Sequence, residues 1–268
     1  MKRIIQASMV LLLLLAGLLS AQPGFDEAKS LWANRGDKAS LQQAISIYEK
    51  AYQENPSYDL AERLAYACYF LADAFETGDQ KAKDYYKGYE FGLGALKYNP
   101  DFKRLMEQEG KNMAEAVTVL GKDYKGGIFW TATCIGKWGK MQGIFKTIKS
   151  SKQARRMVEY LYKLDKDYYY GGPPRWLGTY FAVAPGMFGG DEAKAKQMYD
   201  EAMAMYPNYF ATKVLMAENY AAKIKDKAMY DKLLDEVLSG DADAIPEVAI
   251  EQKVEQGKAQ KLKAKNID

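Results

Sequence analysis

The sequence predicts an all-α fold, a row of helical hairpins in which each helix packs on its neighbours. Two observations along the chain carry this expectation. Apolar residues recur at gaps of three and four over most of the 268 residues, and no stretch alternates convincingly with period two. The 8 prolines and 22 glycines fall mostly between these periodic segments, where they punctuate helices.

Taken in order, a short helix starts over residues 26–32. Residues 38–54 form a clear amphipathic helix, with Leu41, Ala44, Ile45, Tyr48, Ala51 and Tyr52 on one face, and Asn55-Pro56 stops it. Residues 60–75 follow, with Leu64, Ala67, Cys68 and Leu71 inward, and Thr77-Gly78-Asp79 turns the chain into a helix over 81–98. Asn99-Pro100 ends that helix. The spacing then predicts one helix over 102–120. After Gly126-Gly127 it predicts an aromatic helix whose stripe runs Trp130, Cys134, Trp138, Met141, Phe145 and Ile148. Residues 154–164 form another. The run Gly171-Gly172-Pro173-Pro174 reads as a loop whose prolines open the next helix, since a missing amide donor costs nothing at a helix start. That helix ends near Pro185, Asp191 caps one over 192–206, and segments 209–223, 227–238 and 247–263 complete the row.

A third observation is an internal repeat. Pro56, Pro100 and Pro207 are each followed two residues later by an aromatic: Tyr58, Phe102 and Tyr209. Five residues before each proline lies an alanine (Ala51, Ala95, Ala202). Eight before lie Tyr48, Gly92 and Tyr199, and twelve before lie Ala44, Gly88 and Ala195. This is the pattern of the second helix of a tetratricopeptide unit, with the middle copy departing at the aromatic position. Leu177-Gly178 with Tyr180, next to Trp176, fits a fragment of the first helix. The fold class is therefore a degenerate TPR-like helical-hairpin superhelix, an α-solenoid, in which neighbours must stack to bury their apolar faces.

Composition narrows the chemistry. The chain has no histidine, which removes Ser-His-Asp and Cys-His catalytic arrangements and imidazole zinc sites. The net charge is +3, and the last dozen residues are the one block that stands out as basic. Nothing calls for nucleic acid. Two cysteines, Cys68 and Cys134, are too few for a disulfide framework and read as buried thiols, with pairing left open. Acids such as Glu49, Glu54, Asp200 and Glu201 lie on solvated helix faces, so an enzyme with paired carboxylates is disfavoured. No cofactor or metal is expected.

The first residues bear on the compartment. Lys2 and Arg3 precede an apolar run from Val10 to Leu19, and Leu19-Ser20-Ala21 offers a small-residue cleavage site before Gln22. This is the layout of a cleaved secretory signal peptide over 1–21, with 22–268 as a single exported domain. The apolar core is short for a retained membrane span. No cysteine stands at the cleavage site, so a lipoprotein is not expected.

Several stretches resemble the T component associated with tripartite ATP-independent periplasmic (TRAP) transporters. They are Phe129-Trp130 with Gly136-Lys137-Trp138, Gly171-Gly172-Pro173 through Leu177-Gly178, Pro185-Gly186 before Gly189-Gly190-Asp191, and Pro207-Asn208-Tyr209 through Thr212-Lys213-Val214. The resemblance implies an all-helical repeat protein in the bacterial periplasm. It also implies association with the extracytoplasmic solute-binding protein of such a transporter, and a trimer, as in some members of the family. It implies no catalytic activity.

Candidate ligand-binding residues are Arg175, Trp176, Tyr170, Trp130, Trp138 and Lys137. Arg175 follows two prolines and a tyrosine run. Its guanidinium suits a carboxylate, and tyrosine supplies apolar area with a hydroxyl. The rival reading makes Arg175 a tie between a loop and a helix end. Trp130 and Trp138 either line a pore or fill the core, and Lys137 beside them faces solvent. The lysine-rich tail at Lys258, Lys261, Lys263 and Lys265 is either a frayed, solvated helix or a contact for anionic headgroups. Two functions compete: a periplasmic transport accessory that binds the solute-binding protein and a small, partly apolar organic ligand, and a general protein scaffold.

Overall fold

A computed structural model describes residues 25–265; the proposed signal peptide lies outside them. Every regular element among the described residues is helical. Neighbouring helices pack as hairpins, which makes an α-solenoid-like fold of the kind the repeat predicts. The chain divides into two compact units, Met1–Asn55 and Pro56–Asp268.

The first unit holds one hairpin, α1 (Phe25–Ala33) and α2 (Lys38–Glu54). Asp37 caps α2 by accepting from the Ser40 amide at 2.8 Å. Tyr48, fully buried, donates its hydroxyl to the Ala28 carbonyl at 3.3 Å and so ties the two helices together.

The second unit starts with the hairpin α3 (Tyr58–Phe75) and α4 (Gly78–Leu96). The single helix expected over 102–120 is broken into α5 (Pro100–Glu107) and a short α6 (Met113–Ala116). Gly110, at φ 65°, turns the chain between them, and Asn112 with Glu115 forms a capping box that starts α6 afresh. Next come α7 (Lys125–Lys140) and α8 (Ile144–Leu164). The aromatic stripe expected on one helix is thereby divided. Gly143, at φ 87°, ends the run after Met141, so Phe145 and Ile148 belong to α8. Gly126 and Gly127 lie inside α7 rather than before it. The unit finishes with α9 (Tyr168–Val183), α10 (Glu192–Met205), α11 (Phe210–Met216, continued by one π-turn over Ala217–Ala221), α12 (Lys227–Ser239) and α13 (Ala249–Lys263).

The repeat positions are buried in all three copies: Ala44, Tyr48 and Ala51 on α2, Gly88, Gly92 and Ala95 on α4, and Ala195, Tyr199 and Ala202 on α10. In the last copy the aromatic needs a gap in the facing helix. A Cβ on Gly178 would stand 3.0 Å from the Tyr199 ring, so the glycine of Leu177-Gly178 makes the seat for Tyr199. The middle copy lacks its aromatic because α7 takes that space. A Cβ on Gly92 would meet Thr131 Oγ1 at 2.4 Å, and one on Gly88 would meet Cys134 Sγ at 2.8 Å. Two glycines one turn apart let α7 lie directly on α4.

The C-terminal lysines do not form a frayed end. Lys258 pairs with Asp73 on α3, and Lys263 pairs with Asp235 on α12. No described helix is long and apolar enough to cross a membrane.

Candidate functional site

The site grows from the tyrosine run that opens α9. Tyr169, Tyr170 and Gly171 take left-handed backbone angles in succession (φ 48°, 56° and 69°). Glycine adopts this conformation freely, but each tyrosine in it costs about 1–2 kcal/mol. Arg175, one turn further on and 5% exposed, offsets that cost. Its Nη1 donates to the Tyr170 carbonyl at 2.7 Å and its Nη2 to the Tyr169 carbonyl at 3.2 Å, the tie between loop and helix weighed for it in the sequence. The same guanidinium lies 4.6 Å from the centre of the Tyr209 ring. Tyr209 in turn stacks on Tyr170 at 5.0 Å and 12°.

The left-handed turn swings Tyr169 into the interior, where it becomes the hub of an aromatic cluster. Its ring meets Trp130 edge-on at 4.7 Å and Tyr66 at 5.6 Å. Tyr66 stacks flat on Trp130 at 4.4 Å, and Tyr69 tilts against the same indole at 5.2 Å. The hydroxyls are chained: Tyr169 donates to Tyr66 at 2.7 Å, and Tyr66 donates to the buried carboxylate of Glu251 on α13.

Two helical turns beyond Tyr66 on α3, Asp73 anchors a charged network. Lys137 of α7 approaches it at 3.1 Å, Lys258 of α13 pairs with it and with Glu255, and the Tyr85 hydroxyl donates to it at 2.8 Å. Burial alone would raise the Asp73 pKa, but Lys137 and Lys258 outweigh it and hold the carboxyl well below its ordinary value. Burial likewise works against charge on Lys258, yet Asp73 and Glu255 lift its pKa well above normal.

Tyr66, Tyr69 and Tyr169 combine two properties. Burial is the first cause that raises each hydroxyl well above its ordinary pKa, and the Tyr209 hydroxyl is pushed up to about 12 by burial against the pull of Arg175. Yet Tyr66, Tyr69 and Tyr169 are only half-buried by surface, and the Lys258 side chain keeps 31% of its surface. These side chains sit among the helices, and each keeps part of its surface accessible. The cluster joins aromatic rings from α3, α7 and α9, their hydroxyls, and a charge-balanced group of side chains completed by α13. Tyr169 also reaches an open depression of about 370 Å³, bordered besides by Tyr168, Tyr170, Lys125, Asp165, Asp167 and Tyr206.

Of the six residues singled out from sequence, Arg175, Tyr170 and Trp130 meet in this cluster, and Lys137 joins its charged end. Trp130 is 2% exposed and presents its face to Tyr66 rather than to bulk water. Trp176 points elsewhere and stacks on Tyr180 at 5.9 Å and 10°. Trp138, half-buried, lies with Tyr86 (5.1 Å) along a second, open groove of about 690 Å³ on the α4 side. Sequence reading missed Tyr66, Tyr69, Asp73, Tyr169, Glu251 and Lys258. Tyr169 was visible in the tyrosine run. The others sit at ordinary helical spacing on α3 and α13 and are joined by contacts 185 residues apart.

A family model described as TAtT, the TRAP transporter T-component, matches residues 64–268, a span that contains every residue of this cluster. No curated protein matches the sequence.

Proposed function

The chain belongs to the TRAP transporter T-component family, and from that premise we propose that it is an extracytoplasmic accessory of such a transporter. It binds the solute-binding protein of the system and holds a small, partly apolar organic ligand at the tyrosine cluster around Trp130. The observation that carries the ligand reading is the group of half-open tyrosines around Trp130. Aromatic faces suit an apolar body, and hydroxyls backed by Glu251 suit a polar end. Arg175 acts through the backbone by fixing the turn that aims Tyr169 and Tyr170. Lys137 and Lys258 balance Asp73 and Glu255 and leave a polar, charge-neutral group beside the rings.

The test is affinity capture of residues 22–268 from periplasmic extract in mild salt, with proteins and small molecules identified by mass spectrometry. Recovery of a TRAP-type solute-binding protein supports the proposal. Recovery of unrelated proteins, with the solute-binding protein absent, refutes it and leaves the general scaffold.

A further inference from the structure

Between Asp123 and Glu159 the chain carries eight basic residues and no acidic one. This stretch is α7, the turn at Gly143 and the first four turns of α8. Three of the eight are accounted for: Lys125 pairs with Asp165, Lys137 with Asp73 and Arg155 with Glu159. The remaining five, Lys140, Lys146, Lys149, Lys152 and Arg156, are exposed, and no carboxylate among the described residues pairs with any of them.

Their placement on α8 is ordered. Phe145, Lys149, Lys152 and Arg156 are spaced four, three and four residues apart, so they form one stripe along the helix, about 16 Å long. Ala154, Met157, Val158 and Leu161 face the core from the other side. At the end of the stripe the turn presents apolar side chains to solvent: Phe145 is 86% exposed, Ile144 63% and Met141 38%. Large apolar residues this exposed, at a turn whose charged neighbours are all cations, are not explained by packing within the chain.

We propose that this tip and stripe are a docking surface for an anionic phospholipid bilayer. Phe145 and Ile144 enter the headgroup–acyl boundary, and Lys140, Lys146, Lys149, Lys152 and Arg156 lie over the acidic headgroups. The composition favours a lipid surface over a folded acidic partner. Four of the five cations are lysines, mobile point charges that suit diffuse headgroup charge, whereas bidentate pairing with a partner's carboxylates favours arginine. The exposed apolar residues sit together at the Gly143 turn, where a soft interface takes them up without a matching pocket.

The experiment is co-sedimentation of the mature chain, residues 22–268, with vesicles of phosphatidylcholine containing one-third phosphatidylglycerol, and with vesicles of phosphatidylcholine alone. The expected result is binding to the anionic vesicles that weakens as salt rises above about 0.1 M, and little binding to the neutral ones. Each lysine or arginine at the surface contributes about five-fold. The triple variant Lys149→Gln, Lys152→Gln, Arg156→Gln therefore binds roughly a hundred-fold more weakly, and Phe145→Ser several-fold more weakly. A tail variant, Lys261→Gln with Lys265→Gln, retains binding. All these positions are exposed, and unchanged melting curves confirm that each variant folds. Absence of wild-type binding to anionic vesicles overturns the proposal, as does a triple variant that binds like wild type or a loss confined to the tail variant.

Discussion

Replacing Arg175 by methionine tests how the candidate site is built. Methionine keeps the apolar length of the side chain and removes the guanidinium. Two carbonyls, at 2.7 and 3.2 Å, lose their donors inside the protein, and the Tyr209 ring loses its cation at 4.6 Å. A hydrogen bond from a charged donor contributes roughly 1.5–3 kcal/mol. The variant also escapes the cost of burying a charge, so the net loss is smaller than the gross sum, about 3–5 kcal/mol. The left-handed backbone at Tyr169 and Tyr170 stores roughly 2–4 kcal/mol of its own, which Arg175 no longer holds in place. Thermal melting should fall by roughly 6–20 °C, taking about 2–4 °C per kcal/mol for a chain of this size. The tyrosine near-UV circular dichroism should weaken with it. Arg175→Lys should recover only part of the loss, because one ammonium cannot reproduce a fork onto two carbonyls. A methionine variant that melts within about 2 °C of wild type, with its near-UV signal intact, would refute this account of the turn.

Other consequences follow from the same geometry. Gly92→Ala should destabilise by about 1–3 kcal/mol in urea melts, because its Cβ would stand 2.4 Å from Thr131 Oγ1. Gly257→Ala, on α13 with nothing within 4 Å, should instead stabilise by about 0.5–1 kcal/mol. Asp73 has a folded pKa depressed below 3.8, so its contribution to stability is present above that value and lost as pH falls through the folded pKa. Lys258, raised above 10.5, contributes below that value and loses it as pH rises through its folded pKa. Melting temperature plotted against pH should therefore lose part of its acid limb in Asp73→Asn. Cys68 and Cys134 are buried, and burial raises the Cys134 thiol well above its ordinary pKa. Neither should react with a disulfide reagent at neutral pH until denaturant is added.

Much of the fold was legible because it rests on local rules. Asp37, Ser57, Asn99, Asp191 and Asp226 cap helices where polar residues precede periodic ones, and the proline-anchored repeat marked which faces of α2, α4 and α10 are buried. The breaks were harder to read. Gly143 interrupts a stripe whose three-and-four spacing happens to continue across the turn from Trp138 to Ile148, so periodicity ran through a real boundary. The left-handed turn has one local cue, Gly171. Tyrosine has no preference for that backbone, and only Arg175 and the aromatic packing select it. The cluster was least legible of all, since Tyr66 and Asp73 find Glu251 and Lys258 only once α13 returns to α3. The most basic block is the acid-free stretch from 124 to 158 and not the last dozen residues, which stand out as basic in the sequence. Its cations are spread over 35 residues, and the stripe on α8 emerged once Lys125, Lys137 and Arg155 proved paired with carboxylates and the rest did not.

The central claim, a ligand held among the tyrosines around Trp130, is tested most directly by native mass spectrometry of the protein purified without denaturation. The comparison is between wild type and Tyr169→Phe, a variant that removes one hydroxyl and keeps the ring in the cluster. A small-molecule adduct carried by wild type and lost or reduced in a folded Tyr169→Phe is the predicted result. A wild-type spectrum of the bare chain, after incubation with periplasmic small-molecule extract, would contradict it, as would an adduct that both proteins retain equally.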